Sequence, residues 1–144
     1  MRIVLDSNIL VRAFVSRHGS AHQLLLEILA GDHTLLLSNE ILHEVAKVLR
    51  HPRLMSVHAR NEEEIYQFVE SLREFAVTVL INPLVMAPVR DRNDIFVLQT
   101  ALGGEADMLC TLDRDFFSPP ASDFLAIYGV AVLTDTELLP RLRG

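Results

Sequence analysis

Two apolar segments typical of buried strands are each followed by an aspartate. Asp6 comes directly after Ile3-Val4-Leu5, and Asp113 comes two residues after Thr111, which ends an apolar run that starts at Met108. If these strands are parallel, both carboxylates lie at one edge of the sheet, where they repel each other unless a cation lies between them. Oxygen ligands favour a hard dication such as Mg²⁺. The pair therefore predicts metal-dependent chemistry, although either residue alone could be an ordinary turn or capping residue.

Further carboxylates lie near the starts of two predicted helices. Glu40 and Glu44 are four residues apart on the face opposite the apolar stripe, where the alternative for Glu44 is a solvated pairing with Lys47. Asp91 and Asp94 begin a later helix, where a carboxylate can simply complement the helix dipole. Both pairs are candidates for the same metal-binding edge.

Asp115 adds an acidic residue next to the turn at Asp113, and it could take the place of Asp113. Carboxylate-held metal ions can supply an activated water, positive charge against the transition state and help for the leaving oxygen of a phosphodiester. Such chemistry needs no histidine or serine nucleophile. His18 and His22 have ligand spacing, but no cysteine or third ligand accompanies them, which argues against a zinc site.

The elements that must position these residues alternate along the chain. Unbroken apolar runs predict five short strands, at 3–5, 35–37, 77–80, 108–111 and 130–133. Apolar residues at helical spacing predict the intervening helices: one ending at Gly31, one from Ser38 to His51-Pro52, one after Glu62-Glu63-Glu64, one from Asp91 or Asn93 to Gly103-Gly104, and a short last helix that opens with a Thr134/Glu137 capping box before Pro140. We therefore predict a single α/β domain, residues 1–144, with three α/β/α layers and a central, mainly parallel five-stranded sheet.

Composition limits the functional classes. The chain has 144 residues, 50% of them hydrophobic, which suits one domain with a sizeable core. A net charge of -6 argues against a protein that holds nucleic acid by a broad basic surface. No stretch is long and apolar enough for a membrane helix, and Asp6 interrupts the region where a signal peptide would be apolar, so we expect a cytoplasmic protein. The single cysteine, Cys110, is expected to be buried.

The ordered set of motifs resembles the PIN domain over nearly the whole chain. The resemblance rests on Asp6-Ser7-Asn8, the helix from Ser38 through Glu44 to Leu49, Asp91 to Asp94, the segment from Ala106-Asp107 through Thr111 to Asp113-Arg114-Asp115-Phe116, and Gly129-Val130 with Thr134 beyond it. Within that family the chain looks most similar to toxins of bacterial and archaeal toxin–antitoxin modules.

The resemblance implies a site and an activity. It makes Asp6, Glu44, Asp94 and Asp113 the catalytic, metal-binding carboxylates, with Asn8 and Thr111 as polar support and Asp91 close by. Members of the family are single-strand-directed ribonucleases that require Mg²⁺ or Mn²⁺. The subgroup further implies a cognate antitoxin, encoded as a separate chain, and a homodimer.

Two other interpretations remain at this stage. A phosphatase that forms an aspartyl-phosphate also begins with a buried strand and an aspartate, but it normally shows Asp-x-Asp and a later lysine. Here Asn8 follows Ser7, and the only lysine, Lys47, lies on an early helix. The other interpretation is a catalytically inactive PIN scaffold that binds RNA or a protein partner.

Overall fold

Five parallel strands form one sheet in the computed structural model, which describes residues 1–144. The strands are β1 Arg2–Leu5, β2 Thr34–Leu37, β3 Val77–Thr78, β4 Met108–Cys110 and β5 Ala131–Leu133, in the spatial order β3-β2-β1-β4-β5. Every neighbouring pair is parallel. The predicted α/β fold with a five-stranded sheet is confirmed, and the sheet is wholly rather than mainly parallel.

Helices connect the strands and cover the sheet. They are α1 Ser7–Val15, α2 Ser20–Ala30, α3 Asn39–Leu49, α4 Pro52–His58, α5 Glu62–Phe75, α6 Arg92–Gly103, α7 Ala121–Ile127 and α8 Asp135–Arg143, with a 3₁₀ turn at Arg114–Phe117 between β4 and α7. None of these helices combines the length and the apolar character that crossing a membrane requires.

Helix α1 was not predicted, because it begins directly after β1 at Ser7-Asn8, whose residue types also suit a turn. The helix is amphipathic: Ile9, Leu10, Val11, Ala13 and Phe14 are buried, while Arg12 is exposed. The crossover from β1 to β2 therefore contains two helices rather than the predicted single one. This places Asp6 at the N-cap of a helix as well as at the end of a strand.

Prolines account for one missed helix and one wrong helix end. Helix α3 ends at Leu49, close to the predicted His51-Pro52, but Pro52 then begins α4 at a position where its missing N–H is not needed. Pro140 was expected to lie beyond the last helix, yet it lies inside α8, which runs to Arg143. The carbonyl that Pro140 leaves without a donor belongs to Thr136, an exposed residue in the first turn, where water can take the place of the missing N–H.

The predicted N-terminal caps of α3 and α8 are confirmed. Ser38 accepts a hydrogen bond from the Ile41 amide and so begins α3. Thr134 and Glu137 form the capping box of α8. The strand predicted at 77–80 is shorter, since β3 is an edge strand that ends at Thr78.

The order of the strands determines which residues meet at the carboxyl edge of the sheet. Strands β1 and β4 are neighbours, with Leu5 opposite Cys110, so the residues that follow each strand lie side by side. The amide of Asp6 extends this pairing by donating to the Cys110 carbonyl at 2.9 Å. Cys110 is buried, as predicted, and burial raises the pKa of its thiol. It is a core residue rather than a nucleophile.

Candidate metal centre

Asp6 is a buried carboxylate held by four hydrogen bonds. Its Oδ1 accepts from the Ser7 amide at 2.7 Å and from the Ser7 hydroxyl at 3.4 Å. Its Oδ2 accepts from Thr111 Oγ1 at 2.7 Å and from Asn8 Nδ2 at 3.3 Å. Only 6% of the residue is exposed, and this burial raises the pKa of Asp6 although the hydrogen bonds oppose the shift. The fold therefore fixes the position of Asp6 at some electrostatic cost.

Thr111 connects Asp6 to Asp113. Its buried hydroxyl donates to Asp6 and accepts from the Asp113 amide at 3.0 Å. Asn8 makes a similar link, since its Oδ1 accepts from the Leu112 amide at 3.4 Å while its Nδ2 donates to Asp6. The structure thus places Asn8 and Thr111 in contact with Asp6, and their role as polar support of a metal site stays a prediction.

Asp91 and Asp94 have different local roles. Asp91 is the N-cap of α6, where its Oδ1 accepts from the amides of Asn93 and Asp94 at 2.9 and 3.2 Å. Asp94 accepts no hydrogen bond from another side chain or amide of the chain, and it lies half-buried in the first turn of α6. Capping of α6 thus accounts for an aspartate at position 91. No hydrogen bond within the chain accounts for the carboxylate of Asp94.

Asp94, Asp113 and Asp115 form the tightest acidic group. One oxygen from each carboxylate lies within 4.8 Å of the others. Burial first, and then the negative charges of Asp113, Asp91, Asp6 and Asp115, raise the pKa of Asp94 to about 7. A cavity of about 480 Å³ opens beside the group and is lined by Asp91, Asp94 and Asp115. A close group of ligands that are all carboxylate oxygens suits a hard dication such as Mg²⁺ or Mn²⁺.

Asp115 is the member of this group that the sequence offered only as a substitute for Asp113. The structure brings both together, because the 3₁₀ turn begins with Asp113 as its cap and the Asp113 Oδ1 accepts from the Asp115 amide at 3.0 Å. The short separation of the two residues was the available signal. Without knowledge of the turn, the sequence could not show that both side chains face Asp94.

Glu44 lies beside the group rather than within it. It lines a narrow crevice together with Glu40, Ser7 and Asn93, so it faces the residues that follow Asp6 and precede Asp94. Glu44 is half-buried and forms no salt bridge with Lys47. Its place among the metal-binding carboxylates therefore stays a prediction.

The raised pKa of Asp94 predicts the pH dependence of the metal-free protein. The ionised carboxylate is disfavoured in the fold relative to the unfolded chain, where its pKa is near 3.8. This cost is fully present above about pH 7, and protonation relieves it as the pH falls toward about 4. In EDTA, we expect the free energy of unfolding of the wild type, relative to Asp94→Asn, to rise as the pH is lowered from about 8 to about 5.

Denaturant titrations of both proteins across this range measure the difference directly. Asp94→Asn serves as the reference because it keeps the shape of the side chain and cannot titrate. Parallel stability profiles for the two proteins would contradict the assigned crowding of charge around Asp94.

The comparisons with known proteins agree with this geometry. The sequence profile described as PIN domain matches residues 2–115. Among solved structures, the chain is similar to VapBC2 from Rickettsia felis, solved bound to a DNA fragment from its promoter, with a TM-score of 0.60, 17% identity and coverage of 93% of this chain and 98% of that one. VapBC-1 from nontypeable Haemophilus influenzae gives a TM-score of 0.58 at 17% identity, covering 95% of this chain and 100% of that one. No curated protein matches at a significant level.

At this level of identity, the two structures establish a common fold. The profile match extends from β1 to the 3₁₀ turn and so includes every acidic residue of the candidate site. The chain belongs to the PIN domain family.

Proposed function

We propose that this protein is a metal-dependent endoribonuclease that hydrolyses phosphodiester bonds of single-stranded RNA with Mg²⁺ or Mn²⁺. The observation that carries the proposal is the convergence of Asp94, Asp113 and Asp115, with carboxylate oxygens within 4.8 Å of one another, next to buried Asp6. Three mutually repelling carboxylates without a basic partner are expensive to maintain unless a cation is bound between them.

The proposed ligand set is Asp6, Glu44, Asp94 and Asp113, with Asp115 in support. Asp94 and Asp113 have oxygens in the tight group. Asp6 already accepts four hydrogen bonds, and the two longer ones, from Ser7 Oγ at 3.4 Å and Asn8 Nδ2 at 3.3 Å, are those a cation could replace. The short bonds from the Ser7 amide and from Thr111 would keep the carboxylate in place.

The charge of the site explains why a cation is needed for a nucleic-acid substrate. The chain has a net charge of -6, and the acidic group adds local repulsion against a phosphodiester. A bound dication offsets that repulsion and supplies a water of lowered pKa at neutral pH. Asp94 and Asp115 line the 480 Å³ cavity, which we propose receives a strand of RNA.

We further propose that the chain is the toxin component of a toxin–antitoxin module in the cytoplasm. The two similar solved structures are both VapBC proteins, which supports a cognate antitoxin as the partner chain. A second copy of the chain is the other proposed partner. An antitoxin would limit an activity that otherwise degrades the RNA of the host cell.

A cleavage assay on a generic single-stranded RNA tests the proposal. We expect fragments in Mg²⁺ or Mn²⁺, none in EDTA, and slower cleavage of a fully paired duplex. Binding of the RNA without cleavage in either metal would identify an inactive scaffold. Metal-dependent release of phosphate from a small phosphomonoester, with the RNA intact, would instead identify a phosphatase.

Glu44 and Glu40 form a matched pair for testing the contribution of α3. We expect Glu44→Gln to lower metal-dependent cleavage by roughly tenfold or more, within the range seen when residues that support a metal are changed. Glu40 lies in the first turn of α3, where the helix dipole accounts for a carboxylate, so Glu40→Gln should leave cleavage nearly unchanged. Initial rates at saturating Mg²⁺ measure both, and the reverse pattern would transfer the role to Glu40.

A further inference from the structure

A second cavity lies beside the 3₁₀ turn. It measures about 420 Å³ and is lined by six residues: Leu112, Arg114, Phe117, Ser118, Thr134 and Glu137. Ser118 also lines the acidic cavity, and Arg114 lies between Asp113 and Asp115 in the sequence. The second cavity is therefore a neighbour of the proposed cleavage site, and its size suits a small ligand or one unit of a polymer.

Two aromatic residues in the 3₁₀ turn have opposite environments. Phe116 is buried in the core with 1% exposure, whereas its neighbour Phe117 is 38% exposed and lines the cavity. The core therefore accounts for Phe116 and not for Phe117. An aromatic face at the wall of a cavity is a stacking surface for a planar ligand such as a nucleobase.

Arg114 is a cation without a partner in the chain. Its guanidinium takes part in none of the salt bridges, and only its backbone carbonyl accepts a hydrogen bond, from Ser118 Oγ. All five N–H donors of the guanidinium are thus available to a ligand. Its planar fork matches two adjacent acceptors, such as O6 and N7 of guanine.

Glu137 also lines the cavity and provides a fixed acceptor. Its Oε1 accepts from the Thr134 amide at 3.0 Å and from Thr134 Oγ1 at 2.9 Å. These hydrogen bonds lower the pKa of Glu137, so the carboxylate stays ionised. The Oε2 atom has no partner within the chain and can accept N–H groups from a ligand.

We propose that this cavity is a base-recognition subsite for guanine, adjacent to the scissile phosphate, in which the base stacks on Phe117, its O6 and N7 accept from Arg114, and its N1–H and N2–H₂ donate to Glu137. The inference rests on the proposed ribonuclease function and specifies its substrate. Guanine alone among the four bases combines adjacent acceptors on one edge with adjacent donors on the other. Uracil offers the carboxylate one N–H between two carbonyl oxygens.

Binding of free nucleosides tests the subsite without any catalysis. Guanosine, adenosine, cytidine and uridine, which carry no phosphate, are titrated separately into the full chain in EDTA and followed by NMR shifts of the Arg114 and Glu137 backbone amides, which are present in the wild type and in Phe117→Ala. We expect guanosine to bind most tightly and Phe117→Ala to weaken it by roughly tenfold, as when a stacking aromatic is removed. Phe75→Ala is the matched control, because Phe75 is another exposed phenylalanine but lies at the end of α5.

Glu137→Gln is a second variant that preserves the fold. A glutamine oxygen can still accept from Thr134 and keep the capping box, but the side chain now presents an N–H₂ group to the ligand. Guanosine binding should therefore fall while the melting temperature stays near that of the wild type. Arg114→Gln should also lower guanosine affinity, and Arg53→Gln, a change at another exposed arginine without a salt bridge, should not.

Mapping of cleavage positions separates this inference from the proposed function. In a mixed-sequence RNA with Mg²⁺, we expect cuts next to guanines in the wild type, and slower cleavage that no longer favours guanines in Phe117→Ala. Metal-dependent cleavage without base preference, together with equal affinity for the four nucleosides, would overturn the guanine subsite. The proposed ribonuclease function would be unaffected by that result. Preference for another base, or unchanged guanosine affinity in Phe117→Ala, would also overturn it.

Discussion

Replacement of Asp94 by asparagine is expected to lower metal-dependent RNA cleavage by roughly a hundredfold or more. Changing a residue that only supports a metal ligand already costs 10–100-fold in affinity or activity, and a direct ligand should cost at least the upper part of that range. The proposed site is centred on Asp94, because burial and the negative charges of Asp113, Asp91, Asp6 and Asp115 all raise the pKa of its carboxyl. An amide in its place offsets no cation charge.

Calorimetric titration with Mn²⁺ shows whether this loss arises at the metal. Since the pKa of Asp94 is about 7 in the metal-free protein, binding a cation at slightly acidic pH should release a proton from it. Titrations in two buffers of different ionisation enthalpy count that proton. We expect Asp94→Asn to bind Mn²⁺ more weakly and to release fewer protons than the wild type.

Asp123→Asn is the matched control for Asp94→Asn. Asp123 is an exposed residue of α7, outside the acidic group, and its replacement changes the net charge by the same amount. It should alter neither Mn²⁺ affinity nor proton release. Equal Mn²⁺ affinity and proton release in all three proteins would show that no metal binds at Asp94.

The sequence could place Asp6 and Asp113 because strand ends are local features. Each aspartate follows an apolar run that is buried on both faces of the sheet, and parallel strands end at the same edge. The capping residues Ser38 and Thr134 were predictable for the same reason, since a cap is determined within about four residues.

What the sequence could not supply is the contact between residues far apart in the chain. Thr111 Oγ1 lies 2.7 Å from Asp6 Oδ2 because β4 pairs with β1, and no local pattern specifies that neighbour. Asp115 joins Asp94 because Asp113 caps a short 3₁₀ turn that holds Asp115 next to it. Helix α1 was missed because it is short and begins directly after β1, at residues whose types also suit a turn.

Asp6 joins two roles that substitutions can separate. It is the N-cap of α1, through the Ser7 amide, and it is a buried negative charge next to the other carboxylates. Asp6→Asn removes the charge but retains an oxygen that can cap the helix. Asp6→Ala removes both, and it leaves the Thr111 hydroxyl and the Ser7 amide without their acceptor.

We expect Asp6→Asn to be folded but inactive. In EDTA near pH 7, its free energy of unfolding should lie within about 1 kcal/mol of the wild type, because relief of a desolvated charge offsets the two weakened hydrogen bonds from Thr111 and Asn8. Asp6→Ala should be less stable by about 2 kcal/mol or more, from the lost cap and the unsatisfied hydroxyl. Both should lose nearly all cleavage, since neither supplies a carboxylate to the cation.

If Asp6 were only a cap, Asp6→Asn would cleave RNA at the wild-type rate wherever it is folded. Denaturant titrations in EDTA alongside cleavage in Mg²⁺ distinguish the two outcomes, because a folded and fully active Asp6→Asn protein would remove Asp6 from the metal centre.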